Sequence, residues 1–376
     1  MIFVTQPFNT VFMTKKILFA AGDIGGARAL IPVIRAAGLQ GHKTSVLRHG
    51  HIAQEKDAKC EWLSCPVDFE NATLDTFLDA TDPDVMAFTS SVKDIAALSI
   101  ARRAQIRGVK VLHVLDSWTA YLSRMTTDGK PAFSPDIYAV MDTLAAESAN
   151  TEGISKATIR ITGQPSLSNN IKSHLATRKK YPSRSKIKNV LFISEPVKRD
   201  QGASDESSSY RGYTEVEVLQ LLCNALQPIT DQVFLSLLPH PREDESKLIE
   251  SWQSSRGVLQ GNVLPKSSNV APLRAFDGII GMASILLYEG WIIGRPTLSL
   301  QPGLIKNSLR QIGARPGVLL VDSNEGAEVI IQDWIGKLEI ESPTEIRAEA
   351  KEHAEATENV LSLILDLAAQ RQNEGL

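Results

Sequence analysis

Four short stretches of the chain combine residue types that bind anions and move protons. The first, Ala20-Ala21-Gly22-Asp23-Ile24-Gly25-Gly26-Ala27-Arg28, follows an apolar run and opens a helical pattern. Gly25 and Gly26 allow the backbone to approach a ligand, and a helix N-terminus favours an anion. Asp23 adds a carboxylate suited to accept a proton or bind hydroxyls. No G-x-G-x-x-G spacing and no Gly-Lys-Ser/Thr follow, so the same glycines also fit a tight turn with close helix–sheet packing. The second stretch is His113-Val114-Leu115-Asp116-Ser117-Trp118, with Tyr121 and Arg124 after it. Asp116 stands where a parallel strand ends, the usual ligand crevice of an open α/β sheet. Trp118 and Tyr121 offer flat faces to a sugar or base. A helix N-cap at Asp116 or Ser117, with Trp118 in the core, is the structural alternative.

The third stretch, Leu238-Pro239-His240-Pro241-Arg242-Glu243, holds the backbone around His240 extended between two prolines. His240 and Arg242 can both donate to phosphate oxygens, Arg242 bidentately. The fourth runs from Gly278 through Gly281-Met282-Ala283-Ser284 to Glu289, then Gly294-Arg295-Pro296 and Gln301. Backbone N–H groups at that helix start can cradle a diphosphate, with the Ser284 hydroxyl beside them. Glu289 can reach ribose hydroxyls, or pair with Arg295 or a backbone donor. Ser194-Glu195 and Gln301 complete the candidate binding set. His49, His51, Glu55 and Cys60 match no zinc pattern, so no metal site is expected. Cys60 and Cys65 lack a partner pair and read as ordinary thiols. No Gly-x-Ser-x-Gly nucleophile turn is present.

The elements that must position these groups alternate between strand and helix. Apolar runs at Lys16–Ala21, Lys43–His49, Asp84–Ser91, Val109–Leu115, Ile137–Met141 and Thr158–Thr162 predict strands, with helices at Gly25–Ala37 and Asp94–Arg107. A second series follows. Its strands are Asn189–Ser194, Gln232–Leu238, Val263–Leu264, Gly278–Gly281, Thr297–Leu300 and Gly317–Val321. Its helices are Thr214–Leu226, Glu243–Trp252 and Ala283–Ile293. Continuous apolar strands separated by helices predict an α/β fold with parallel sheets covered on both faces. The expected organisation is a tail over residues 1–14, a first domain over 15–172, a linker over 173–188, a second domain over 189–342 and a terminal helix over 343–376. The linker is basic (Arg178, Lys179, Lys180, Arg184), which fits a solvated connector. The polar segment between Ser194 and Thr214 reads as a mobile loop. The terminal helix, from Pro343 to Gln370, carries an apolar stripe at Val360, Leu361, Leu363, Ile364 and Leu367.

The 376 residues, 43% of them hydrophobic and 22% charged, give enough chain for two cores. A net charge of −3 excludes neither fold nor enzyme but argues against a general nucleic-acid binder. Three cysteines make no disulfide framework, so a reducing compartment is expected. No apolar run approaches the roughly 18–20 residues of a membrane span.

Taken together, the motifs resemble the GT-B superfamily, which includes nucleotide-sugar glycosyltransferases and UDP-N-acetylglucosamine 2-epimerases. The resemblance runs from Lys16 to about Ala369. It rests on Gly25-Gly26, Thr162-Gly163-Gln164-Pro165, Pro239-His240-Pro241-Arg242, and Gly281–Ser284 with Glu289, Gly294 and Pro296. Pro-His-Pro-Arg is also similar to a motif of bacterial capsule and surface-polysaccharide transferases. The resemblance implies two Rossmann-like domains facing across a cleft, with a C-terminal helix returning to the first. It implies Gly281, Met282, Ala283 and Ser284 at the donor diphosphate, Glu289 on the ribose, and Asp23 or Asp116 as general base. His240 and Arg242 would stabilise the leaving diphosphate. Gly25, Gly26, Trp118, Arg124, Ser194, Glu195 and Gln301 join the substrate-binding set.

The implied activity is metal-independent glycosyl transfer from a nucleotide sugar, with no other cofactor, to a glycan or lipid-linked acceptor. It implies work in the cytoplasm or at the inner face of the plasma membrane, and is compatible with peripheral membrane association and a homodimer. A nucleotide-sugar 2-epimerase or hydrolase, and a non-catalytic nucleotide-sugar binding protein, are the alternatives. The epimerase stretch His-Arg-Arg-Glu-Asn is absent, and Ser299-Leu300-Gln301-Pro302-Gly303 stands where Arg-x-x-Thr-Glu-Arg-Pro-Glu is expected.

Overall fold

The computed structural model describes residues 13–55, 59–92, 94–127, 131–176, 186–265, 273–338 and 346–374. Met1–Phe12, the basic Arg178, Lys179, Lys180 and Arg184, and the expected start of the terminal helix at Pro343 lie outside them. The chain divides into two compact units. One comprises the residues up to Asn170 together with those from Lys351, and the other is Ile171–Ala350.

In the first unit, β1 (Lys16–Ala20), β2 (Lys43–Arg48), β3 (Glu61–Ser64), β4 (Val85–Phe88), β5 (Lys110–Val114), β6 (Ile137–Val140) and β7 (Ile159–Ile161) form one sheet. Its order is β3-β2-β1-β4-β5-β6-β7, and its pairings are parallel. Alternation along each strand sends apolar side chains to both faces. Ile17, Phe19, Val85, Ala87, Leu112 and Val114 pack under α1 (Ile24–Leu39), while Leu18, Ala20, Met86, Phe88 and Val111 pack under α3 (Ala96–Ile106).

The same face as α1 takes the end of the chain. Val360, Leu361, Ile364 and Leu367 join that core. The terminal helix is not continuous as expected; it is two helices, α11 (Ala350–Ala354) and α12 (Ala356–Glu374). At the break the Ala354 carbonyl accepts the Ser168 hydroxyl at 2.5 Å, a bond that an unbroken helix would make internally. Thr162-Gly163-Gln164-Pro165 meets α11 directly. The Gln164 N–H donates to His353 Nδ1 at 3.0 Å, and Gly163 holds a left-handed φ of 80° against the Glu352 carbonyl.

In the second unit, β8 (Lys188–Ile193), β9 (Val233–Leu238), β10 (Gln260–Val263), β11 (Gly278–Gly281), β12 (Thr297–Leu300) and β13 (Val318–Val321) pair in parallel. Their order is β10-β9-β8-β11-β12-β13. Val190, Phe192, Leu235, Leu237, Ile280 and Leu298 share a core with α7 (Glu215–Leu226), α8 (Glu245–Ser255) and α10 (Ala327–Gly336). In each sheet the strand order reverses beside its first strand, at β1/β4 and at β8/β11. Connections leave those pairs in opposite directions and open a crevice at the carboxyl ends.

Gly163→Ala places a Cβ on the Glu352 carbonyl and forces alanine into a left-handed conformation. It should destabilise the first unit by about 2–4 kcal/mol. Hydrogen exchange should show the loss in α11 and α12 before β8–β13.

Candidate functional site

The first unit's carboxyl edge is built on the turn between β1 and α1. A Cβ on Gly22 would overlap the Asp94 carboxylate, one on Gly25 the Asp116 carboxylate, and one on Gly26 the Thr89 hydroxyl. The glycines therefore admit side chains from the ends of β4 and β5 onto the turn. Asp23 is exposed at the N-cap of α1 and makes no side-chain cap bond.

Asp116 is tied to a buried arginine. Arg124 donates to Asp116 Oδ1 at 2.6 Å, the Ser90 carbonyl at 2.9 Å, Ser117 Oγ at 2.9 Å, the Thr119 carbonyl at 3.0 Å and the Ala120 carbonyl at 3.1 Å. A guanidinium has five N–H donors, so its capacity is filled within the unit. Burial opposes the Arg124 charge most strongly, but Asp116, Tyr138 and Asp23 together outweigh it and hold the guanidinium above the ordinary arginine range. Ala120, within this ring of acceptors, adopts a left-handed φ of 60°. Trp118 donates its indole N–H to Asp142 at 2.9 Å, and Asp142 also caps α4 (Thr143–Glu152). Tyr121 is buried in the core and presents no stacking face.

His113 is fully buried on β5, stacked on Tyr138 with centroids 4.7 Å apart and edge-on to Phe88. The Ser90 hydroxyl gives its proton to the Arg124 carbonyl at 3.0 Å, so the His113 contact at 3.2 Å is a donation from Nε2–H to Ser90 Oγ. Among the described residues His113 Nδ1 has no hydrogen-bond partner. Burial, with the Arg124 charge beside it, pushes this imidazole well below its usual range. One further pair escaped the sequence reading. His49 Nε2 lies 2.9 Å from Asp94 Oδ1, at the end of β2. The only signal was a histidine ending one strand and an aspartate following another.

The second unit's carboxyl edge gathers Ser194, Glu195, His240, Arg242, Ala283 and Ser284. Ser194 Oγ donates to Glu243 at 2.7 Å, and the His240 N–H to the same carboxylate at 3.0 Å. Burial pushes the Glu243 carboxyl up, and these two bonds hold it back. The Arg242 N–H donates to His240 Nδ1 at 3.1 Å. That bond requires a bare Nδ1 and so puts the ring proton on Nε2. Arg242 grips Asp200 through both amino groups, at 3.1 and 2.6 Å. The Ser194–Thr214 segment is thus not an open polar loop. It holds a short helix, α6 (Val197–Gln201), with Ser207 donating to the Gln201 carbonyl at 2.7 Å and Lys306 to that of Ser208 at 2.7 Å.

Ser284 caps α9 (Ile285–Ile292) through the Leu286 N–H at 3.2 Å. The Ala283 N–H before it donates to Glu195 Oε1 at 2.7 Å, and Arg211 meets the other Glu195 oxygen at 3.1 Å. The protein's own carboxylate therefore occupies the N–H expected to meet a diphosphate. Gly281 and Met282 are buried. Gln301 is fully buried, accepting the Tyr213 hydroxyl at 2.8 Å and donating to Ser299 and the Leu309 carbonyl, each at 3.0 Å. Glu289 is buried 3.9 Å from His174 and does not pair with Arg295, which donates to the Arg274 carbonyl at 2.7 Å. The residues that sequence reasoning did not assign here are Glu243 and Arg211.

The depressed His113 makes a pH prediction. The unfolded chain protonates a histidine near pH 6.5, whereas folded His113 stays neutral, so this stability is full above about pH 6.5. Below that value it falls by about 1.4 kcal/mol per pH unit until the folded imidazole itself titrates. Exchange of β5 amides at pH 7.5 and 5.5 should show this loss in the wild type and a smaller one in His113→Phe.

No family model and no curated protein matches the chain. Solved structures do. UDP-N-acetylglucosamine 2-epimerase from Rickettsia bellii superposes with a TM-score of 0.62 at 15% identity, over 95% of this chain and 98% of that one. The UDP-GlcNAc 2-epimerase from Neisseria meningitidis, solved bound to UDP-GlcNAc, gives 0.60 at 12% identity, over 93% and 99%. MurG from Acinetobacter baumannii gives 0.59 at 15% identity, over 93% and 99%. At these identities the likeness shows the fold: two parallel-sheet Rossmann-like domains of GT-B type.

Proposed function

We propose that the protein is a glycosyltransferase that moves a sugar from a nucleotide-activated donor to a glycan or lipid-linked acceptor. The observation that carries this reading is the β8/β11 edge, where donors suited to a diphosphate converge. His240 presents a neutral ring whose proton is on Nε2, so it serves as a hydrogen-bond donor and not as a base. Ser284 stands at the start of α9, where the helix end favours an anion. Arg242 is exposed and bidentate, and exchanges Asp200 for phosphate oxygens as the donor binds. Charge developing on the leaving diphosphate is then met by groups already in place. Glu195 leaves the Ala283 N–H, or turns to a sugar hydroxyl, with Arg211 holding its charge. The setting is the cytoplasm, where nucleotide sugars are made, and the acceptor brings the protein to the membrane face. Among the described residues no helix is long and apolar enough to cross a membrane.

A second reading, nucleotide-sugar 2-epimerase or hydrolase, is favoured by the solved structures of the same fold that carry the epimerase name. The missing His-Arg-Arg-Glu-Asn stretch and the Pro-His-Pro-Arg motif weigh towards transfer. The two differ in acceptor dependence: transfer releases the nucleotide only when an acceptor is present.

Calorimetry over UDP, GDP, CMP and CDP tests the donor site. One nucleotide should bind, and Ser284→Ala and Arg242→Ala should each weaken it about tenfold, or about 1.4 kcal/mol. Glu195→Gln should tighten it several-fold by removing a like charge from the phosphate position. Binding by none of the four, or variants with unchanged affinity, would rule the site out.

A further inference from the structure

We propose that a cavity on the helix-covered face of the first unit binds a small amphipathic carboxylate. The cavity lies between α2 (Asn71–Thr81), α3 and residues 131–134, and its volume is about 470 Å³. That falls within the roughly 300–1,000 Å³ of small-molecule pockets. None of its lining residues belongs to the β1–α1 turn or to the acceptors gathered around Arg124. The site is therefore independent of the transferase reading above.

Its charge comes from Arg102. Two neighbouring arginines have aspartate partners: Arg103 donates to both oxygens of Asp75, and Arg107 pairs with Asp75 and Asp79. Arg102 lines the cavity and pairs with no carboxylate among the described residues. Its Nη2 donates to the carbonyls of Met125 at 3.1 Å and Pro131 at 2.6 Å. Nε is buried without an acceptor, and Nη1 makes no hydrogen bond among the described residues. Two carbonyls orient a guanidinium but do not neutralise it. Burial accordingly lowers Arg102 from the ordinary arginine range, whereas the aspartates hold Arg103 and Arg107 above it. No lining residue is acidic. One uncompensated positive charge with an unengaged Nη1 matches a carboxylate monoanion. A phosphate dianion would leave surplus negative charge against apolar walls.

The walls select an apolar body. Leu74 comes from α2, Phe69 from just before it, Ile106 from α3 and Phe133 from the facing segment. That segment is tied down along its length. Besides the Arg102 bond at Pro131, the Phe133 N–H donates to the Met125 carbonyl at 2.8 Å, and Gln105 Nε2 to the Ser134 carbonyl at 3.1 Å. The Arg102 guanidinium lies 5.4 Å from the centroid of the Phe133 ring, so cation and apolar wall meet directly. The Ser99 hydroxyl and the Asn71 amide also line the cavity, and neither side chain makes a hydrogen bond among the described residues. Both can donate to a second carboxylate oxygen. An apolar wall with a few convergent donors and one cation is the composition that holds an amphipathic acid.

Calorimetry on the full chain with 4-phenylbutyrate, octanoate and the neutral 4-phenylbutanol tests the site. At least one of the two carboxylates should bind with a Kd of about 1 mM or tighter, and the alcohol about tenfold more weakly. Amide shifts on binding should fall at Asn71–Leu74 and Ala132–Ser134, not in the β1–α1 turn. Arg102→Met keeps an apolar stem and removes the charge. It should weaken the carboxylate about tenfold and leave the alcohol roughly unchanged. Ile106 is 73% exposed, so Ile106→Glu brings a like charge to the rim without disturbing the core. It should weaken the carboxylate about fivefold, and it decides the matter if Arg102→Met fails to fold. Binding by neither carboxylate, equal affinity for acid and alcohol, shifts confined to other surfaces, or unchanged affinity in either folded variant overturns the proposal.

Discussion

The buried Arg124 guanidinium is the group around which the first unit's carboxyl edge is assembled. A charge with five N–H donors cannot be buried unless each donor finds an acceptor. Here the acceptors come from the end of β4 at Ser90, the end of β5 at Asp116, and the following loop at Ser117, Thr119 and Ala120. Meeting them bends the chain enough to put Ala120 in a left-handed conformation. The same arginine fixes its neighbours. Its carbonyl takes the Ser90 proton, which sets the direction of the His113 bond, and its side chain pins Asp116 against Gly25. Removing one partner of such a buried pair typically costs about 3–5 kcal/mol, because the other charge is left uncompensated.

The second unit reaches the same end with carboxylates. Glu243 collects Ser194 and the His240 backbone, while Glu195 collects the Ala283 N–H and Arg211. Each glutamate bridges strands that are neighbours across the sheet, Glu243 joining β9 to β8 and Glu195 joining β8 to β11. An edge organised this way keeps its shape without a ligand. Any anion that docks at α9 must then exchange with Glu195, so affinity is lowered by the same contact that preorganises the site.

Much of the fold was legible because continuous apolar strands between helices have few alternatives to a parallel sheet. β11 and β12 have the ends that their glycines and prolines predict. What was not legible has physical causes. β3 is four residues long and half-exposed at the sheet edge, with too little apolar pattern to stand out. β10 runs over Gln260–Val263 where the apolar pattern marks only Val263–Leu264, because Gly261 and Asn262 carry no strand signal until β9 pairs with them. The break at Glu355 coincides with a bond from Ser168, a partner distant in sequence. In the candidate site, residue types place the groups at strand ends but do not show how each side chain is engaged. Arg124, Gln301 and Trp118 have the chemistry of ligand-binding groups, yet each has its hydrogen bonds met within its own unit.

Glycine shows the same limit most clearly. A glycine-rich turn at the end of a first strand invites the inference that a ligand comes close. In this turn the space opposite Gly22, Gly25 and Gly26 is filled by Asp94, Asp116 and Thr89. Close approach is still the reason for glycine, but the approaching groups belong to the protein. That shifts attention from the turn to what it positions, and among those groups is the His49–Asp94 pair, its imidazole more exposed than its carboxylate. The arrangement also explains why the pair was hard to see: its members lie 45 residues apart and meet because β2 and β4 flank β1 and Gly22 has no side chain to keep them apart.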